Sequence, residues 1–321
     1  MTGRPTTDRY AAPTITPSRR ERGVIAGELA AGHGGLVSRA QLRNAGIDRH
    51  AIRTEVAAGR WAVAGRHTVV VLAAPQTGAG RWWQALWESG TGAMLDGAAA
   101  LQASGLSGYR PGTIDVTVPW STTRWSAVEG VRVHRRRAVP LGPSTGVPRV
   151  CVESAVIHAA QWARTDRQAA LLVCLTVQQR LVATDRLLGA WRGVRRSPRR
   201  RVLDLVFSDV CDGAHSLGEL DFARLCRRHG LPPPTRQSVR ELATGRVYLD
   251  AQWVSVGLTV EIDGGHHALG LNPVDDALRH NEIALERALV LRIPVLGLRL
   301  LPGEFMSQVA RAHALARRPA A

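Results

Sequence analysis

The sequence predicts a mixed α/β protein whose N-terminal part is α+β, and three observations carry that prediction. Helix start and stop signals recur between residues 22 and 59 and lead directly into two short β-prone runs. Residues 114–118 and 131–134 alternate apolar and polar side chains, the signature of half-buried strands. The last third again sets capped helices beside β-prone runs, this time rich in carboxylates. The 321 residues suffice for two or three domains at roughly 100–200 residues each. With 45% hydrophobic and 21% charged residues, the composition is that of a globular protein.

Taken in order, residues 1–21 are polar and rich in Pro, Thr and Arg, and are expected to form a disordered leader. A first helix runs through Ile25 and Leu29 and stops at Gly32, Gly34 and Gly35. Ser38 and Gln41 form a capping box, Val37 staples to Leu42, and Gly46 ends the second helix. Asp48 caps the third, with Ile47 stapling to Ile52 and Gly59 as its stop. Trp61–Val63 and Thr68–Val71, joined by Ala64, Gly65, Arg66 and His67, read as a hairpin.

Helix, helix, turn, helix and hairpin over residues 22–75 is the element order of a winged helix. The helix after Asp48 then takes the recognition role, with Arg49, His50, Arg53 and Thr54 near the end that usually meets base edges. Arg39 and Arg43 on the preceding helix, and Arg66 with His67 in the wing, complete the expected nucleic-acid set. The same arginines also suit the solvated surface of a small helical cap.

Residues 76–205 are expected to form a middle α/β body. A Trp-rich helix covers Trp82–Trp87. Ile114, Val116 and Val118 alternate with Asp115 and Thr117, and Val131 and Val133 with Arg132 and His134, which predicts a half-exposed antiparallel pair. A helical stretch follows from Val152 to about Trp191. Arg192–Arg201 then carries six arginines and no acid, as a linker, a phosphate-contacting strap or a solvated helix end. On the strength of Gly35–Val70 and the strands Ile114–Val118 and Gly130–His134, this region resembles the AbiEi-type antitoxins of type IV toxin-antitoxin systems. The resemblance implies DNA binding, autoregulation of an operon and a cognate toxin as partner, and makes no enzymatic claim; such antitoxins do not require an appended C-terminal domain.

That domain spans 212–321. Ser216 and Glu219 form a capping box for a helix Leu217–His229, which Gly230 and Pro232–Pro234 end. Two strands follow, Arg246–Trp253 with Asp250 and Val256–Asp263 with Glu261 and Asp263. On the second, Leu258, Val260 and Ile262 face one side and Thr259, Glu261 and Asp263 the other. Carboxylates sharing a strand face repel unless a cation or proton lies between them.

The spacing of Asp250, ten residues and Glu261 matches the metal-binding half of the PD-(D/E)xK nuclease pattern, and a hairpin sets the two opposite each other. Glu219 is positioned to join them, although its capping role explains it equally. Gly264, Gly265, His266 and His267 follow, then a helix from Asn272 and Pro273 bearing Asp276 and Arg279, and a strand Val290–Pro294. Together these residues resemble the very-short-patch-repair (Vsr)-like endonuclease domain. The resemblance implies a restriction-endonuclease-like α/β fold with Mg²⁺ or Mn²⁺ at Asp250, Glu261 and Asp263. His267 is then a proton-transfer or phosphate-contacting group, and Arg279 or Arg292 a phosphate contact. Asp263 stands where the wider superfamily has lysine, although the Vsr-like group commonly shows this E-x-D-G form.

Lysine is in fact absent from the whole chain: all 42 basic residues are arginine. A guanidinium cannot deprotonate to act as nucleophile or base, which excludes Schiff-base chemistry and lysine-dependent P-loop NTPases. Codon bias in a GC-rich genome accounts for the absence more simply than selection. In a nuclease, histidine, arginine and metal would have to share lysine's role. Residues 1–211 hold 29 Arg against 14 acids, whereas residues 212–321 hold 13 against 12. The basic body points to a polyanion, nucleic acid before membrane. Four cysteines without CxxC spacing read as buried or inert thiols, and the chain is expected to be cytoplasmic, with no membrane partner. Two functions follow: a Mg²⁺-dependent DNA endonuclease, or an antitoxin-like transcriptional regulator whose nuclease fold is silent.

Overall fold

The computed structural model describes residues 17–74, 77–122, 128–211, 222–241, 247–263, 277–278, 281 and 290–317. They form a mixed α/β protein with three small sheets among the described residues. No described helix is long and apolar enough to cross a membrane. Contacts divide the chain into one unit comprising 1–95, 112–139 and 144–148, and another comprising 96–111, 140–143 and 149–321.

In the first unit, helix α1 (Arg19–Ala31) is followed by β1 (Leu36–Ser38), α2 (Arg39–Asn44), α3 (Arg49–Ala57), β2 (Trp61–Val63) and β3 (Thr68–Val71). The expected leader ends too late, because Ser18 and Glu21 form a capping box that starts α1 inside it. The predicted caps are present: Ser38 with Gln41, and Asp48 accepting from His50 and Ala51 N–H. Strand β3 pairs antiparallel with both β1 and β2, giving the order β1-β3-β2. Three residues are too few to show a period, so β1 carried no signal beyond Val37 as a staple.

Val37, Leu42, Ile47 and Ile52 are all buried in one cluster with Trp61, Val69 and Val71. Each such side chain contributes about 1.5–3 kcal/mol. Helix α4 (Ala79–Ser89) braces the β2–β3 turn. Buried Glu88 accepts from His67 N–H and Thr68 Oγ1 at 2.8 Å, and Gln84 donates to the Ala64 carbonyl at 2.6 Å. Gly80 and Gly34 make this approach possible, since a Cβ on Gly34 would lie 2.5 Å from Gly80 N.

The second sheet along the chain has the order β4 (Met94–Asp96), β5 (Ile114–Pro119), β6 (Val131–Arg136). Here the structure corrects the sequence reading: β5 and β6 pair in parallel, Ile114 opposite Val131 through Pro119 opposite Arg136. The eleven residues between the strands give the chain room to return to the starting end, and alternation alone does not distinguish the two senses. Strand β5 is the central strand and is buried on both faces from Asp115 to Val118. Asp115 is matched there by His134 Nε2 at 2.8 Å and Arg132 Nε at 2.9 Å.

In the second unit, α5 (Gly97–Ala103) is followed by the expected helical stretch, made of three helices: α6 (Val152–Trp162), α7 (Asp166–Gln178) and α8 (Thr184–Arg192). Thr165 caps α7 by accepting from Gln168 N–H, and Arg180, at φ 55°, follows its end. Of the arginine-rich run, Arg199 donates to the Ala163 carbonyl and Arg200 pairs with Asp204 in α9 (Arg200–Cys211), while Arg192, Arg195, Arg196 and Arg201 are exposed.

Helix α10 (Phe222–Arg228) gives way at Gly230, φ 71°, to a four-stranded sheet. Strands β7 (Arg236–Glu241), β8 (Val247–Trp253) and β9 (Leu258–Asp263) form an antiparallel meander, and β10 (Val290–Pro294) joins β9 in parallel. Leu249, Ala251, Leu258, Val260, Ile262, Leu291 and Ile293 share a core with Phe305, Met306 and Val309 of α12 (Pro302–Ala316), which follows α11 (Val295–Leu300). Where the sequence reading separated 76–205 from 212–321, Leu171 of α7 packs against this core and buried Asp209 of α9 faces Arg299 of α11 at 3.4 Å.

Candidate functional site

Two groups of residues in separate units carry the candidate chemistry. On α3, Ala51, Ile52 and Glu55 turn inward, leaving Arg49, His50, Arg53 and Thr54 exposed along the outer side. Glu55 anchors the helix from below, only 2% exposed and held by Arg22 at 2.7 Å and Arg60 at 2.5 Å. Burial alone would raise its carboxyl pKa, but the Arg60 and Arg22 guanidiniums outweigh that and hold it below the usual value. At the cap, hydrogen bonds led by Ala51 N–H hold Asp48 below its ordinary value.

Arg43 is exposed in the last turn of α2, whereas Arg39 is half-buried and its backbone N–H donates to the His67 carbonyl at 2.8 Å. Arg66 and His67 are exposed on the braced turn. The first unit therefore presents a helix and a hairpin turn, each with cations on a fixed backbone.

The second group lies across the β7–β10 sheet. Asp250 stands opposite Glu261, which in turn stands opposite Arg292. Asp263, two residues along β9, shares Glu261's face, as the alternate burial of Leu258, Val260 and Ile262 on the other face shows. Directly opposite residues place their Cβ atoms about 4.5–5.5 Å apart, so both carboxylates are within reach of one cation. Their surroundings differ. Asp250 is 6% exposed, while Glu261, a quarter exposed, pairs with Arg292 Nε at 3.1 Å.

Glu219, His266, His267, Asp276 and Arg279 lie outside the described residues. Among the described residues, no three His, Cys, Asp or Glu side chains are grouped closely enough to hold a metal ion, so Asp263 does not complete a triad with Asp250 and Glu261 there.

Sequence reasoning missed Asn281. Fully buried, it accepts from Arg292 N–H at 3.1 Å and donates to the Arg292 carbonyl at 3.0 Å, in the manner of a neighbouring strand, while Gln308 holds its amide from behind at 3.1 Å. A lone Asn in a helical pattern gives no sign of such a role. No protein-family model matches the chain, and none of the curated proteins is significantly similar to it.

Proposed function

We propose that this is a DNA-binding protein whose first unit begins with a winged helix and whose C-terminal sheet is a restriction-endonuclease-like, Vsr-like domain carrying out Mg²⁺-dependent phosphodiester hydrolysis. The observation that carries the hydrolytic reading is the register of Asp250 opposite Glu261 beside Arg292. Paired carboxylate oxygens are the hard donors Mg²⁺ or Mn²⁺ prefers. The existing Glu261–Arg292 pair does not oppose this, because Arg292 is 72% exposed and such surface pairs contribute about 0–1 kcal/mol.

In this reading Asp250 and Glu261 hold the metal and Asp263 orients a water. When bound, Mg²⁺ supplies Lewis-acid activation of water and phosphate. Arg292, released from Glu261, contacts the scissile phosphate. Outside the described residues, His267 transfers a proton, Arg279 is a second phosphate contact, and Glu219 supports the carboxylates. DNA is gripped by Arg49, His50 and Arg53 of α3, with Arg39, Arg43 and Arg66 alongside. Purified protein incubated with supercoiled plasmid and Mg²⁺ or Mn²⁺ tests it: wild type nicks, Asp250→Ala and Glu261→Ala do not, and equal nicking by all three defeats the reading.

The Glu261–Arg292 pair specifically favours a second reading, in which the carboxylate is neutralised without metal and the domain is silent. The protein is then an AbiEi-type, antitoxin-like transcriptional regulator in the cytoplasm, partnered by a toxin. Specific retardation of its own promoter fragment, weakened by Arg49→Ala or Arg53→Ala, together with an absence of nicking, selects it.

A further inference from the structure

We propose that the β5–β6 end of the β4-β5-β6 sheet is a second nucleic-acid contact, which takes an unpaired base of a single strand on Trp120 and the adjoining phosphates on Arg135 and Arg137. It depends on neither α3 nor the Asp250 row. Trp120 follows β5 and is 62% exposed; no other tryptophan is exposed among the described residues. An indole left in water forgoes the largest burial gain available to a side chain and keeps its flat face open to a stacking partner.

The backbone beneath it is fixed. Trp120 N–H donates to the Arg136 carbonyl at 2.8 Å, Thr122 N–H to the Pro119 carbonyl at 3.0 Å, and Thr122 Oγ1 to the Thr91 carbonyl at 3.2 Å. Arg135 reaches the same turn, its Nη2 donating to the Thr122 carbonyl at 2.8 Å. The indole is thus presented on a closed turn with a guanidinium at its base.

The charge is specific as well. Arg132 is engaged by Asp115 and Thr113, and Arg136 is half-buried. Arg135, within β6, and Arg137, just past its end, are exposed and form no ion pair among the described residues. Strand β6 is also the sheet edge among the described residues, so its outer backbone groups face outward. Exposed cations beside a flat aromatic face match a phosphodiester chain with a splayed base, since stacking needs a base face that a duplex hides.

The test uses the full chain and a fluorescein-labelled twelve-residue oligothymidylate, followed by anisotropy. Stacking is worth roughly 1–3 kcal/mol per base, so Trp120→Ala weakens binding by about 5- to 150-fold, while Trp120→Phe retains most of it. Replacing Arg135 and Arg137 by Gln lowers the log–log salt slope by about 1.4. Trp120→Ala keeps wild-type affinity for a duplex fragment while losing the oligonucleotide, which keeps this result distinct from the fate of the winged-helix reading. Absence of wild-type binding, wild-type affinity for the oligonucleotide in Trp120→Ala, or a Phe variant as weak as the Ala variant each overturns the proposal. An unchanged thermal midpoint confirms that the variants are folded; a binding defect accompanied by a lowered midpoint in Trp120→Ala, with Trp120→Phe no better, counts against it.

Discussion

Glu55 shows how much a single residue owes to one partner close in sequence and another far away. Its carboxylate is buried between Arg22 and Arg60, and breaking a buried pair by removing one partner costs about 3–5 kcal/mol. Glu55→Gln should therefore destabilise the first unit by about 3 kcal/mol in urea unfolding at pH 7. Its folded pKa lies below the unfolded value, so the contribution is complete above about pH 4.3 and is lost as pH falls through the lowered folded pKa. Wild type and variant should converge on acidification, and a constant gap would contradict the assignment. The sequence offered no hint of this, since Arg22 is separated from Glu55 by 33 positions. The cysteines were easier to read. Cys174 and Cys226 are buried, and burial pushes the Cys226 thiol up to about 12 and that of Cys174 higher still. A thiol reagent should modify at most Cys151 and Cys211 in the native protein, and all four once it is unfolded.

At the scale of elements, what could be read from the sequence was what is local. The capping box at Ser38, the cap at Asp48, the stop at Gly59 and the hairpin across Ala64–His67 are set by residues within five positions of each other, and they stand where expected. The opposition of Asp250 and Glu261 was legible for the same reason, because a hairpin has few registers once its apolar face is fixed. Elements that depend on distant partners were not legible. The parallel sense of β5 and β6 is decided by the path of the connecting chain, and the breaks between α6, α7 and α8 by single residues such as Thr165 and Arg180. Asn281 belongs with these, since its partners come from β10 and α12. Asn281→Ala leaves the Arg292 N–H and carbonyl without their amide partner, and each buried orphan costs about 1–3 kcal/mol. The variant should lose at least 2 kcal/mol of stability, with Arg292 amide exchange accelerated more than that of β8; uniform acceleration would mean that the loss is global rather than at the β10 edge.

For the whole molecule the decisive property is how unevenly charge is distributed along the chain. An excess of fifteen positive charges lies in residues 1–211 and near-neutrality beyond, while the candidate carboxylates sit in the neutral part. The residues proposed to grip DNA and those proposed to cut it lie in different contact units. Binding and hydrolysis should accordingly come apart under mutation. Each phosphate neutralised contributes about 0.9 to the slope of log affinity against log salt on duplex DNA, so Arg49→Ala/Arg53→Ala should reduce that slope by up to about 1.8 and weaken binding at physiological salt. Plasmid nicking should recover at saturating protein, because Asp250, Glu261 and Arg292 are untouched. Asp250→Ala should do the reverse, keeping duplex affinity and salt slope while losing nicking at every concentration. Loss of duplex affinity in Asp250→Ala would mean that the carboxylate row serves binding through a bound cation instead of catalysis, and would turn the assignment toward the regulator.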